Sequence, residues 1–437
     1  MKAKAAFHVI AVIMMTLALP RAMAAETLTL KEALDRAAGE SPRVMAREAA
    51  ADASSKAVQE ANAAFLPKLA VSETFMRTND PVGVFSAKLD QAKFTAADFN
   101  LPQLNDPKSI NNWTTRVELA VPAFHSGVDW AQRRAALEQN TSSEKLADFE
   151  RSRVRFAVMK LYYTAVAMAE QRLAVNEGIR RLRALEGSYQ LMEAPTSAST
   201  TSYLVAKSVR TGLDAEAVRL ECRRKQALRD LNAVMGVEPD TELALTDPLP
   251  AVVLAQGSDV PAKSRADIEA SAAGVRAAGA ERDAAARRWG PDVDLFGAYN
   301  LYTGNFDGSN GSYEVGARLS WQVFDWGRQA RTARSGAVLE QAQQMHRAAE
   351  LSAAADLATA ASNIRSCAER YRIVSQAVGT ASEAVGQATT RYAEGTLPLM
   401  DYSQTIQNWV NMRQRLIENH LDFATAQAEY DFQRGAL

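Results

Sequence analysis

The stretch YEVGARLSWQVFDWG, Tyr313 to Gly327, alternates with a period of two. Tyr313, Val315, Ala317, Leu319, Trp321 and Val323 fall on one face. Glu314, Gly316, Arg318, Ser320 and Gln322 fall on the other. This is the pattern of a strand with one apolar and one polar face. The chain then passes through Phe-Asp-Trp-Gly into residues 325–397, which contain no proline. The same arrangement stands earlier, in WTTRVELAVPAFHSG, Trp113 to Gly127, where Phe124 and Gly127 match Phe324 and Gly327 and Val117 and Leu119 alternate with Arg116 and Glu118. The unit is therefore duplicated, and the architecture follows from the repeat.

Each repeat opens with an Ala-rich stretch carrying charges at helical spacing, and each such stretch stops at a proline, Pro67 or Pro291, followed by another alternating segment. The pattern predicts strands at about 68–78, 113–122, 292–303 and 313–323. The two hairpin connections are unequal. Residues 79–112 are rich in Asn, Asp, Pro and Phe, and residues 304–312 in Gly, Asn, Asp and Ser; both read as exposed loops at one end of the sheet. Residues 123–194 also lack proline. A continuous helix over such a run reaches about 100 Å, and it survives only against neighbouring helices. Turns near Pro195 and Pro398 return each run as a second helix, about Tyr203 to Gly236 and about Tyr402 to the C-terminus. The predicted organisation is a first repeat over 25–238, a proline-rich connector over 239–264 and a second repeat over 265–437.

The N-terminal residues MKAKAAFHVIAVIMMTLALPRAMA combine Lys2 and Lys4, an apolar run and the small-residue site Ala22-Met23-Ala24. They read as a secretory signal peptide, residues 1–24, cleaved before Ala25. No later run is apolar and long enough for a transmembrane helix, so a membrane-spanning mature chain has to cross as a barrel. With 50 basic and 51 acidic residues the chain is nearly neutral and its charges are interspersed, which gives no support for nucleic-acid binding. Cys222 and Cys367 are too few for a disulfide framework; they either pair or stay free within helices. An enzyme reading finds little: His125, His346 and His420 lie outside metal-ligand spacing, and there is no nucleophile elbow or phosphate-binding glycine loop.

Trp113, Trp130, Trp289, Trp321 and Trp326 all stand near strand ends. They are expected at one level of the fold, as an aromatic belt at a lipid–water interface. Inside a bilayer every backbone group needs a partner, so a sheet must close, and four strands are too few. Either the sheet is a soluble one covered by helices, or several chains pool their strands. Pooling explains both the clean alternation and the helix length. The apolar face then meets lipid, and Arg116, Glu118, Glu314 and Arg318 line the lumen.

On LTLKEALDRAAGESPRV, the FLPKL strand entry, the paired F-x-x-G junctions at Phe124 and Phe324, and RYAEGTLPLMDY at Arg391 to Tyr402, the sequence resembles the TolC family of outer-membrane efflux channels. The resemblance covers essentially the whole mature chain and rests on the order and duplication of these motifs. It implies a mainly α fold with a membrane β-barrel: a homotrimer in which each chain gives four strands to one twelve-stranded barrel, with an α-helical tunnel through the periplasm. Its implied partners are a periplasmic adaptor protein, an inner-membrane transporter and outer-membrane lipid, with no cofactor and no metal. The family's lumenal aspartate at the tunnel tip corresponds here to Asp401, and a second acidic position corresponds to Gln404. Tyr392 matches an aromatic residue that helps hold the tip closed. Gly395, Thr396 and Leu397 match the turn that adaptors contact. In the first repeat the corresponding positions are Thr196 and Ser202, in a Ser/Thr-rich turn that departs from the pattern. Asp401 has a second reading, as a helix N-cap.

The resemblance implies the channel of a tripartite efflux pump. The outer-membrane component of a type I secretion system is the alternative within the same class, because the pump selects the cargo. A soluble periplasmic coiled-coil scaffold is the rival from another class. It accounts for the signal peptide and the helices but not for two hairpins with aromatic ends.

Overall fold

The computed structural model describes residues 26–190, 197–253, 265–305 and 310–437. The signal-peptide segment, Thr196 and part of the connector lie outside the described residues. The elements in chain order are β1 (Glu26–Leu28), α1 (Leu30–Glu40), α2 (Pro42–Ala63), β2 (Lys68–Thr78), α3 (Pro81–Asp90), a 3-10 turn (Ala96–Phe99), α4 (Leu101–Asn105), β3 (Ile110–His125), α5 (Val128–Gln190), α6 (Ser197–Met235), β4 (Leu243–Leu245), α7 (Ala266–Arg287), β5 (Asp292–Thr303), β6 (Asn310–Ser320), α8 (Gly327–Ala393) and α9 (Leu399–Gln433). The helices are mostly Ala, Glu, Gln and Arg, residues that lose little side-chain freedom in a helix. They pack into two compact units, and neither follows the repeat boundary. One takes Pro42–Phe156, Ala255–Arg365 and Ala426–Leu437; the other takes the chain up to Ser41, Ala157–Leu254 and Ser366–Thr425.

The first unit contains one antiparallel sheet of order β2-β3-β5-β6, so the two hairpins of the repeat lie side by side with β3 and β5 central. Its edge strands, β2 and β6, are each paired on one side only among the described residues. The register sorts the side chains by parity. Val71, Val117, Tyr299 and Tyr313 form one row of the apolar face, and Ser72, Arg116, Asn300 and Ser312 one row of the polar face. Among the described residues no element covers the apolar face. Val71 is 68 % exposed, Tyr313 81 % and Val315 80 %.

Several boundaries depart from the sequence pattern, each for a local reason. β3 extends to His125, through a register shift between Pro122 and Phe124; a proline in a central strand has no N–H for the ladder, and a bulge accommodates it. β6 stops at Ser320, opposite Asp292, the first residue of β5, which follows Pro291. Trp321 is held instead by its side chain, whose Nε1 donates to the Trp289 carbonyl at 3.0 Å. Residues 79–112 are not a plain loop. They fold into α3, the 3-10 turn and α4, with Val84 and Ala87 buried and Phe94 packed edge-on to Phe85 and Phe99. The aromatic belt is also redistributed. Trp130, Trp289, Trp321 and Trp326 adjoin the helical end of the sheet, whereas Trp113 packs against Phe75, with the rings tilted by 40°, near the hairpin end. The aromatic side chains thus mark two levels rather than one.

The second unit is helical, with the short parallel pair β1–β4 at its margin. Along α6, Ala206, Leu213, Leu220 and Ala227 are buried at seven-residue spacing, the seam of a left-handed coiled coil. Gly178 of α5 permits a close helix contact: a Cβ there would lie 2.5 Å from Val410 Cγ2. Tyr162, fully buried, donates its hydroxyl to the Leu28 carbonyl at 3.0 Å and accepts from the Asp247 N–H at 2.9 Å, which ties β1 to the strand-exit segment after β4. Cys222 on α6 and Cys367 on α8 are both free thiols.

Candidate functional site

The polar face of the sheet is built by strand register, which brings together residues far apart in sequence. Arg116 on β3 donates its Nε to Glu118 at 2.9 Å and its Nη1 to Asn300 of β5 at 3.2 Å. It also forms an ion pair with Glu314 of β6. Three of the four residues assigned to this face from the sequence therefore form one cluster. The fourth, Arg318, lies with its guanidinium 5.1 Å from the Phe296 ring centre. Asn300 and Asp294 belong to the same face, and the alternation of DVDLFGAYNLYT in β5 carries the signal for both. At the strand–helix junction His125 bridges two carboxylates: Nδ1 lies 2.7 Å from Asp129 of α5 and Nε2 lies 3.0 Å from Asp294 of β5. A neutral imidazole has only one N–H, so both contacts together require the imidazolium.

The second unit carries the α8–α9 turn. α8 ends at Ala393, and Gly395 follows with φ +73°, a conformation glycine adopts without steric cost. Gly395 N–H donates to the Tyr392 carbonyl at 3.0 Å, and Thr396 N–H to the Arg391 carbonyl at 2.9 Å. These are the paired bonds of a Schellman motif. Gly395 and Thr396 are exposed and Leu397 is half-buried. α9 begins at Leu399, which places Asp401 in its first turn rather than at the N-cap position. There its charge complements the helix dipole. Asp401 and Gln404 are both exposed and three residues apart, hence on one helix face.

The turn is held from behind. The Tyr392 and Tyr402 rings lie 5.2 Å apart, and the Tyr402 hydroxyl lies 2.7 Å from Thr389 Oγ1. Burial pushes the Tyr392 phenol above its usual range, and Tyr402 adds to the effect. Tyr402 and Thr389 were not singled out from the sequence; the signal for them is the spacing of Tyr402 from the buried Ile406 and Trp409 along α9. Ser202 departs from its sequence assignment. It lies inside α6, which begins at Ser197, and is half-buried rather than part of a turn. Thr196 lies outside the described residues.

Among the described residues no group of His, Cys, Asp and Glu is placed to hold a metal ion. No described helix is long and apolar enough to cross a membrane.

Residues 261–430 match the family described as Outer membrane efflux protein. The fold is similar to that of solved outer membrane channels. The CmeC outer membrane channel of Campylobacter jejuni superposes with a TM-score of 0.79 at 15 % identity, covering 93 % of this chain and 85 % of that one. The outer membrane protein VceC of Vibrio cholerae gives 0.78 at 17 %, over 93 % and 96 %. The open state of the MtrE outer membrane channel of Neisseria gonorrhoeae gives 0.78 at 16 %, over 93 % and 88 %. No curated protein sequence matches the chain.

Proposed function

We propose that this chain is the outer-membrane exit duct of a tripartite efflux pump. Three copies would pool their strands in one barrel and extend helices into the periplasm, where an adaptor protein joins them to an inner-membrane transporter. The observation that carries this reading is the sheet: its apolar face is bare, its polar face is charged, and both edges lack partners among the described residues. In water such a surface is an aggregation hazard. In lipid, with the edges joined between copies, the same surface is satisfied throughout. Passage is passive, and the chain supplies a lined path rather than chemistry. In this reading the cluster at Arg116, Glu118 and Glu314 lines the barrel. Asp401 and Gln404 stand at the periplasmic gate with Tyr392, and Gly395, Thr396 and Leu397 form the turn on which the adaptor docks, with Thr196 and Ser202 as the first-repeat counterparts.

Imaging of the detergent-extracted protein tests this. A three-fold particle with a barrel at one end and a helical cylinder at the other is expected. A monomer that stays in solution without detergent would overturn the channel and leave the periplasmic scaffold. Export through a type I secretion system uses the same duct, and its test is co-purification with one pump rather than another.

A further inference from the structure

Near the helical end of the sheet the chain concentrates arginine. Arg133 and Arg134 lie in the first two turns of α5, Arg287 and Arg288 at the end of α7, and Arg328, Arg331 and Arg334 in the first two turns of α8. In a chain whose charges nearly cancel, this is a local excess. It also runs against the helix dipole, because α8 has no acidic residue in its first turn and cations at a helix N-terminus are unfavourable.

Three of these residues converge. Arg288, Arg328 and Arg331 line a cleft of about 330 Å³ together with His125, Asp129 and Asp292. Of the carboxylates nearby, Asp129 is paired with His125 and Asp325 with Arg331, while Asp292 makes no ion pair among the described residues. Arg288 and Arg328 make no ion pair among the described residues. Arg328 is only 5 % exposed; its guanidinium donates to the Gln322 carbonyl at 2.6 Å and lies 4.6 Å from the Trp289 ring centre, and the Asp325 carboxylate feels its charge. Asp325 is shared with Arg331, so the guanidiniums of Arg288 and Arg328 keep hydrogen-bonding capacity for an anion entering the cleft. Beside it stand exposed aromatic side chains, Trp289, Trp321, Phe324 and Trp326, the last 88 % exposed. Such side chains favour the headgroup level of a bilayer.

We propose that this three-arginine cleft binds the phosphate of an anionic phospholipid, with the lipid's acyl chains along the neighbouring aromatic surface. The inference rests on the outer-membrane reading and deepens it: the periplasmic rim of the barrel selects its lipid. Arginine suits this role because its planar fork binds phosphate oxygens in pairs.

The test is native mass spectrometry of the full assembly released from nanodiscs. The discs contain phosphatidylethanolamine alone or phosphatidylethanolamine mixed with phosphatidylglycerol. The variant is Arg288→Gln, whose side chain is exposed and unpaired and so leaves folding intact. Wild type is expected to retain phosphatidylglycerol over phosphatidylethanolamine. Arg288→Gln should weaken that retention by about tenfold, the loss that follows removal of one charge-assisted hydrogen bond, and Arg282→Gln, outside the cleft, should not. Equal retention by wild type and Arg288→Gln, with both inserted, would overturn the lipid site and leave the channel standing. Full displacement of the lipid by inorganic phosphate would assign the cleft to a soluble anion instead. Failure of wild type to insert would overturn the channel reading, and the lipid site with it.

Discussion

Arg116 on β3 reaches across β5 to form an ion pair with Glu314 on β6, passing the stretch where Ala298 stands in register between Glu118 and Glu314. One guanidinium thereby engages two carboxylates, Glu118 and Glu314, and leaves the cluster with a net negative charge. Arg116→Gln removes the only cation of the cluster and should raise the cation preference of the reconstituted channel. The pairs are partly exposed, so little stability is at stake, and the fold should persist. Reversal potentials in a salt gradient measure the effect; an unchanged potential would place the cluster away from the conducting path.

Asp401, in the first turn of α9, is exposed and makes no ion pair among the described residues. Several copies of it around a pore attract cations. Asp401→Asn should weaken cation selectivity, the opposite direction to Arg116→Gln. If both variants shift the potential the same way, one of the two residues is misassigned.

Gly395 separates backbone strain from bulk. Nothing lies within 4 Å of a Cβ built there, but its φ is +73°. Gly395→Ala and Gly395→Trp share the conformational cost of about 1–2 kcal/mol, and the added Cβ itself meets no clash. Export lost in Gly395→Trp and retained in Gly395→Ala, with the oligomer intact in both, would show that the bulk collides with a docked partner. Equal loss in both would attribute the defect to the turn itself.

Tyr162→Phe leaves the Asp247 N–H without its acceptor, while the Leu28 carbonyl keeps the Thr246 N–H at 3.2 Å. An unsatisfied buried group costs about 1–3 kcal/mol. Thermal unfolding should shift down accordingly, with faster hydrogen exchange in β1 as the local sign.

The folded cap between β2 and β3 is pinned by Lys88, whose Nζ lies 2.5 Å from Asp98, with Thr95 N–H donating to the same carboxylate. The Lys88 contact, followed by those from Thr95, lowers Asp98 to about 2. A lowered carboxylate contributes its stability above the ordinary carboxylate range and loses it as pH falls through the lowered value. The cap should therefore resist proteolysis at pH 4 and open only as pH approaches 2. Asp98→Asn should be nicked within residues 79–109 at neutral pH; equal resistance would show that the aromatic packing of Phe85, Phe94 and Phe99 suffices.

Much of this was legible in the chain. Strand parity sorted Arg116, Glu118, Glu314 and Arg318 onto one face because a two-residue period is a local property. The turn at Gly395 was legible because a glycine followed by Thr-Leu-Pro is a strong helix stop. Other features were not. The alternation of β5 gives the face of Asn300 and Asp294, but that Asn300 meets Arg116 and Asp294 meets His125 follows only from register across β3 and β5. Ser202 looked like part of a turn by composition, yet it lies inside α6. The division of the tryptophans between two levels depends on strand direction, which proximity to strand ends does not encode.

The sequence by itself determined the duplicated hairpin, the alternation that leaves one face apolar, and the proline-free runs that become α5 and α8. These follow from short-range periodicity and from where proline and glycine interrupt it. Only the tertiary structure decided that the cap is folded, that His125 lies between Asp129 and Asp294, and that Arg288, Arg328 and Arg331 meet beside Trp289. Each of these joins residues from separate elements, and the distance between such residues is set by packing and register, which no local pattern carries.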